Sequence, residues 1–342
     1  MALLDVRDLR VAFRTEDGIV RAVDGLSFTV DRGRTLGIVG ESGSGKSVSM
    51  QAIAGLIRGA EISGEALFDG TDLLTMPEAR RRRLRGAELA MVFQDPLSSL
   101  HPHFTIGWQI VEMIRAHRDV SKAAARARAV ELLGLVGIPR PVERVDDYPH
   151  QFSGGMRQRA MIAMALALEP ALLIADEPTT ALDVTVQAQI IDLMRRLQDE
   201  LGTAIILITH DLGVVADVAD DVVVMYAGKP VELADRRTLY YRPHHPYTKG
   251  LLRSLPTGTV ARLVPIPGQP PSLITVPSGC PFHPRCPHRF EPCDTDRPPL
   301  AMVAGGLGHR SACWLPPDRI GREDPAPEAP PSAADLAGRA DR

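Results

Sequence analysis

Gly40-Glu41-Ser42-Gly43-Ser44-Gly45-Lys46-Ser47 is the stretch whose reading decides the fold. It matches the phosphate-loop pattern G-x-x-x-x-G-K-[ST] in full. Thr35-Leu36-Gly37-Ile38-Val39 before it reads as a short buried strand, and Lys46 to Ile57 after it reads as a helix. A strand, a glycine-rich loop and a helix in that order turn backbone N–H groups inward around an anion at a helix N-terminus. Gly40, Ser42, Gly43, Ser44 and Gly45 are expected to form the cradle. Lys46 is expected to reach the β- and γ-phosphates of ATP, and Ser47 to bind Mg2+ through its hydroxyl. A glycine-rich turn without function would leave both flanks and the next motif unexplained.

That motif is Leu172-Leu173-Ile174-Ala175-Asp176-Glu177. A buried apolar strand ending in Asp176 delivers a carboxylate to Mg2+, and Glu177 is then placed to orient and polarise an attacking water. Around these two motifs apolar strands alternate with helices. Strands are expected at Leu4–Arg7, Leu9–Phe13, Val20–Val30, Leu89–Phe93, Ala171–Ala175, Ala204–Thr209 and Val222–Tyr226. Helices are expected at Ser121–Gly137, with Ser121 as N-cap, and at Val184–Leu201 and Asp211–Val218. The alternation implies an α/β fold with a mostly parallel sheet covered on both faces. The stretch of about 102–168 reads as mainly helical.

The chain has 342 residues, 44% of them hydrophobic, which is enough for one large domain and a smaller one. Its net charge of −3 argues against nucleic acid as a partner, because nucleic-acid binders present a basic surface. The basic run Arg80-Arg81-Arg82-Arg83 with Arg85 reads as a solvated helix face. A membrane-spanning helix needs about 20 apolar residues, and the best stretch, Ala160 to Leu168, stops at Glu169-Pro170. The charged start, with Asp5, Arg7, Asp8 and Arg10, does not resemble a signal peptide. The expected location is therefore the cytoplasm, with other chains supplying any membrane part.

Phe152-Ser153-Gly154-Gly155-Met156-Arg157-Gln158-Arg159 resembles the signature of ABC-type ATPases, whose common form is Leu-Ser-Gly-Gly-Gln. Ser-Gly-Gly opening a helix is a second anion site. The resemblance implies a phosphate-loop ABC nucleotide-binding domain, with a mixed sheet core and a helical subdomain. It implies two such subunits closing face to face, Ser153 and Gly155 of one capping the γ-phosphate held by the other. Met156 stands where the family usually has Gln, which leaves Ser153 and Gly155 in place. By the same resemblance Gln94 belongs to the Q-loop, senses the γ-phosphate at the Mg2+ site and contacts the membrane subunit. Ala181-Leu182-Asp183 resembles the D-loop, His210 the switch histidine, and Phe13 the aromatic residue that stacks on adenine; an aromatic in a strand is also an ordinary core residue.

The resemblance runs from residue 1 to about 315 and is closest to the ATP-binding subunits of oligopeptide and dipeptide importers. Tyr148-Pro149-His150-Gln151-Phe152, Thr179 to Gln187, His245-Pro246-Tyr247-Thr248 and Pro265-Ile266-Pro267-Gly268 carry it. It implies two transmembrane permease subunits, a second ATP-binding subunit (a different chain in this branch), an extracytoplasmic solute-binding protein, and a place on the cytoplasmic face of the membrane. Uptake of another small solute, such as nickel or a glycoside, is the alternative. A soluble ABC ATPase and an exporter subunit fit less well, for the chain has one nucleotide domain, no coiled coil and this C-terminal extension.

All four cysteines lie late: Cys280, Cys286, Cys293 and Cys313, spaced C-x5-C-x6-C-x19-C. A reducing compartment argues against disulfides, and four thiolates satisfy either Zn2+ or a [4Fe–4S] cluster. The missing C-x2-C knuckles point away from zinc, and resemblance to the peptide importers points to iron–sulfur. The expected organisation is a nucleotide-binding domain over 1–255, a small irregular Cys-rich domain over 256–318 held by something other than a core, and a disordered tail over 319–342.

Overall fold

The computed structural model describes residues 2–180, 182–255, 265–305 and 308–316. The expected tail at 319–342 lies outside the described residues, as does Ala181 of the D-loop resemblance. The strands are β1 (Leu4–Thr15), β2 (Gly18–Val30), β3 (Thr35–Val39), β4 (Ala60–Phe68), β5 (Thr71–Asp72), β6 (Leu89–Val92), β7 (Leu172–Asp176), β8 (Ala204–Thr209), β9 (Asp221–Tyr226), β10 (Lys229–Asp235), β11 (Ala301–Met302) and β12 (Arg310–Ser311). The two stretches Leu4–Arg7 and Leu9–Phe13 are one strand with a shift of register between them, where Asp8 takes a left-handed backbone. The chain falls into two compact units, one of residues 31–34 and 75–207, the other of 2–30, 35–74 and 208 onward.

In the first unit β6 and β7 run parallel, Leu89 opposite Leu172 through to Val92 opposite Ala175. Every residue of β7 is buried, so a continuous apolar run was needed there rather than alternation. The helices Ile106–His117, Lys122–Leu135 and Gly154–Ala165 pack on one another. Each begins at a side-chain oxygen that accepts a backbone N–H three residues on: Thr105 from Trp108, Ser121 from Ala124, Ser153 from Met156. In the helix Glu78–Leu84, Arg81 pairs with Glu78, as does Arg85 just after the helix, while Arg80, Arg82 and Arg83 are exposed.

The second unit contains an antiparallel sheet in the order β2-β1-β4-β5 and a mixed set in the order β11-β12-β10-β9-β3. β3 and β9 are parallel, and β9, β10, β12 and β11 pair antiparallel. Val39, Val222, Val224, Tyr226, Tyr247 and Phe282 are among the side chains of its core. Here the expectation of a cysteine-rich piece without a core is corrected. Residues 265–316 have little regular structure, yet Cys280, Phe282 and Cys293 are buried in that same core. Apolar contact with β9 and the helix Pro246–Arg253 holds the segment, because Phe282 meets Tyr226 and Tyr247 at ring distances of 5.3 and 5.4 Å.

Glu232 of β10 is wholly buried. Its carboxylate accepts from the backbone N–H of His244 (2.6 Å), the backbone N–H of His245 (2.9 Å) and Nε2 of His309 (2.7 Å). Three donors satisfy a carboxylate that would otherwise be costly to bury. Ser311 of β12 stands opposite Glu232 in the ladder.

Candidate active site

The phosphate loop lies in the second unit between β3 and the helix Lys46–Ile53, a turn shorter than its sequence suggests. Its glycines answer to close approaches. A side chain at Gly40 would come 2.2 Å from the Met225 carbonyl oxygen, and one at Gly45 2.1 Å from that of Ala22, with φ at +150° and +96°. Lys46 is buried, and its Nζ donates to the carbonyl oxygens of Gly40 (2.7 Å) and Glu41 (2.9 Å), with Ser44 Oγ at 3.5 Å. Ser47 is half-buried, while Ser42 and Gly43 are exposed. Phe13 sits half-buried in β1 opposite Val20 of β2. His210 is exposed directly after β8, and Asp211 Oδ1 caps the following helix by accepting from Gly213 and Val214.

The first unit carries the acidic pair. Asp176 is the buried last residue of β7. Glu177 follows in a left-handed backbone, φ 48°. Its Oε2 accepts from Gln94 Nε2 (3.0 Å) and from Thr180 Oγ1 (2.8 Å), so two elements fix the carboxylate's direction. Gln94 and Glu177 are thus brought together across 83 residues of chain. Ser153 caps its helix, and a side chain at Gly155 would meet Val186 Cγ1 at 2.8 Å; Gly155 therefore packs on the helix Val184–Leu201, which Asp183 caps.

Sequence reasoning missed what braces the loop from the far side. Glu41 N–H donates to Tyr247 Oη (2.9 Å). Arg285 grips both carboxylate oxygens of Glu41, at 2.7 and 3.0 Å, and donates to the Pro267 carbonyl (2.9 Å) and to Tyr226 Oη (3.3 Å). The hydrogen bonds to Glu41 raise the Arg285 guanidinium pKa above its ordinary value. Burial raises the Tyr226 and Tyr247 phenols, which stay neutral donors and acceptors. Nothing in the spacing joins Arg285 to Glu41, 244 residues apart; the single available signal was an arginine inside a Pro- and Cys-rich stretch.

Residues 23–180 match the ABC transporter family, and residues 231–293 match the C-terminal region of oligopeptide/dipeptide transporters. The oligopeptide transport ATP-binding protein OppD of Salmonella typhimurium is 51% identical over 321 residues, 93% of this chain and 95% of that one. The chain belongs to the ABC transporter family. The dipeptide transport ATP-binding proteins DppD of Bacillus subtilis and Escherichia coli are also 51% identical, over 93% and 94% of this ABC ATPase and 96% and 99% of their own lengths. The dimeric, ADP- and phosphate-bound ATP-binding cassette MJ0796 superposes with a TM-score of 0.63 at 25% identity, covering 68% of this chain and 99% of that one. This is an ATP-hydrolysing subunit with the ABC cassette fold of mixed sheet and helices.

The four cysteines of this ABC ATPase are free thiols lining one small cavity with Phe282, Phe290 and Trp314. Burial pushes the Cys280 thiol up, Cys286 up to about 11 and Cys313 up to about 12. Four converging soft donors suit the chemistry of zinc or an iron–sulfur cluster. Their positions do not: among the described residues no three His, Cys, Asp or Glu side chains are grouped to hold a metal ion. The expectation of a formed metal centre, iron–sulfur or zinc, is not met by this arrangement. No helix among the described residues is long and apolar enough to cross a membrane.

Proposed function

We propose that this ABC ATPase energises the uptake of di- and oligopeptides across the cytoplasmic membrane. The observation that carries this is the combination of whole-length identity to oligopeptide and dipeptide transport ATP-binding proteins with a match to the C-terminal region of that transporter group. Lys46 would neutralise the β- and γ-phosphates; Ser47, Asp176 and Gln94 would serve Mg2+, a hard cation suited to their oxygens. Glu177, aimed by Gln94 and Thr180, would polarise the attacking water, with His210 beside the γ-phosphate. Ser153 and Gly155 would cap the nucleotide of a second ATP-binding subunit, and Phe13 would stack on adenine. Gln94 would relay the nucleotide state to one of two permease subunits, placing the chain on the cytoplasmic face of the membrane. An extracytoplasmic binding protein would deliver the peptide.

For the cysteines we infer a small Cys-rich domain over 256–318 with a soft metal centre, [4Fe–4S] or zinc. Four sulfurs on one cavity support it, and the lack of a ligand group among the described residues weighs against it. Iron and zinc content after anaerobic purification decides between the two metals and bare thiols. The transport reading is tested by purifying the chain from membranes with its partners and measuring ATP-driven uptake of labelled dipeptide into proteoliposomes. Uptake that needs ATP and an intact Glu177 is the expected result; ATP hydrolysis stimulated by nickel or a glycoside, and not by peptide, would overturn it.

A further inference from the structure

A cavity of about 350 Å³ opens on the outer flank of the phosphate loop, entirely within the second unit. Ser42, Gly43 and Ser44 form one side and Val20 of β2 another. Pro270 to Ile274 of the C-terminal segment form a third wall, and Glu41, Tyr226 and Ala227 complete the lining. Phe13 and Val20 are cross-strand partners, so both stand on one face of the β1–β2 hairpin. The cavity thus extends from the expected adenine residue's neighbour to the loop that takes the phosphates. Its volume suits a group the size of a nucleoside, since ligand sites of this kind begin at about 300 Å³.

The wall is fixed at both ends. Upstream, Arg285 holds the Pro267 carbonyl and the Glu41 carboxylate together, tying the start of the segment to the loop. Downstream, the Arg21 N–H of β2 donates to the Leu273 carbonyl (3.3 Å), and Ile274 Cγ2 lies so close to Gly18 that a side chain there would meet it at 3.2 Å. Pro270 and Pro271 limit the backbone freedom of the stretch. Leu273 and Ile274 are half-buried, with apolar surface left for a ligand. Apolar walls beside a ring of loop amides are the chemistry that accepts a base and ribose at one end and phosphates at the other.

We propose that Pro270–Ile274 forms the outer wall of the nucleoside end of the ATP site, so that the C-terminal segment contributes directly to nucleotide affinity. This rests on the phosphate-loop reading of Gly40–Ser47. The test compares two ligands on the full chain by calorimetry: MgATP, which has a nucleoside, and magnesium tripolyphosphate, which has none. Ile274→Ala removes wall surface without adding charge. It should weaken MgATP about five- to tenfold, the value of partly burying one aliphatic side chain, and leave tripolyphosphate unchanged. Ile274→Trp, which fills the cavity, should weaken MgATP further and again spare tripolyphosphate.

Tripolyphosphate affinity reports in each variant whether the loop is still folded. An equal loss for both ligands would mean that the segment only props the loop, and no loss for either would mean that it does not touch the nucleotide; both results overturn the proposal. Lys46→Ala, run alongside, should lose both ligands. If it keeps both, the phosphate-loop reading fails, and that failure is distinguishable from failure of the wall alone.

Discussion

Removing the clamp between Arg285 and Glu41 tests how the C-terminal segment supports the phosphate loop. The Arg285 side chain is 5% exposed and that of Glu41 26% exposed. Two charge-assisted hydrogen bonds join them, at 2.7 and 3.0 Å. Such bonds contribute about 1.5–3 kcal/mol each when well shielded, but a carboxylate partly in water gives some of that back to solvent. A coupling of about 2 kcal/mol follows for the pair, less than the two bonds would sum to. Arg285→Met should cost about 2–3 kcal/mol, since Tyr226 Oη and the Pro267 carbonyl also lose a donor. Glu41→Gln leaves a buried guanidinium half-paired and should cost about as much. The double variant should cost clearly less than the two together. Equilibrium urea unfolding of the full chain gives the cycle, and MgATP binding to the same four proteins shows whether the loop follows. Additivity within about 0.5 kcal/mol would refute the clamp, for it would mean that the two residues do not sense each other.

Other outcomes follow from the same geometry. Glu177→Gln should keep MgATP affinity and reduce steady-state ATP turnover of the assembled complex by at least about a hundredfold, an amide being no general base; wild-type turnover would remove Glu177 from its role. Ser153→Arg should leave nucleotide binding at this chain's own loop within about twofold while depressing hydrolysis in the complex, because in the proposed arrangement the bulk would face the partner's nucleotide; a full-rate isolated chain would end the shared-site reading. Burial holds the His245 imidazole down at about 4 against 6.5 when free. The unfolded chain therefore takes up that proton first, and stability present above pH 6.5 declines as the pH falls toward 4, by up to about 3 kcal/mol. His245→Asn, which keeps an acceptor for the Tyr247 N–H, should flatten the urea-midpoint profile across that window; an unchanged slope would assign the acid sensitivity elsewhere.

The local motifs were legible because each is contiguous: Gly40–Ser47, Leu172–Glu177 and the capped helix after Ser153 fall where their residue types put them. β3 and β8 and the helix Val184–Leu201 keep the bounds that apolar runs and flanking turns suggest. β4 escaped notice because Ala60–Phe68 carries Glu61, Ser63, Gly64 and Glu65, and its strand character comes from pairing with β1 rather than from composition. β10 was hidden by Pro230 and by Glu232, a charged residue in a fully buried position. The clamp on Glu41, the hydroxyl of Tyr247 and the wall at Pro270–Ile274 are long-range contacts without a spacing rule. They appear only when the chain is folded. The cysteine cluster shows the reverse limit: its spacing suggested a segment held by something other than a core, and Phe282 and Phe290, between the cysteines, join it to one.

The three donors on Glu232 set an order of events during synthesis. The carboxylate leaves the ribosome 77 residues ahead of His309. At about 5–20 residues per second, that is a wait of several seconds. Until His309 and Ser311 arrive, β10 has an open edge and its acid lacks one donor. This edge of the sheet therefore closes only after Ser311 has been made. A product cut short before residue 309 would carry every ATPase motif in its sequence and still leave Glu232 without one of its three donors.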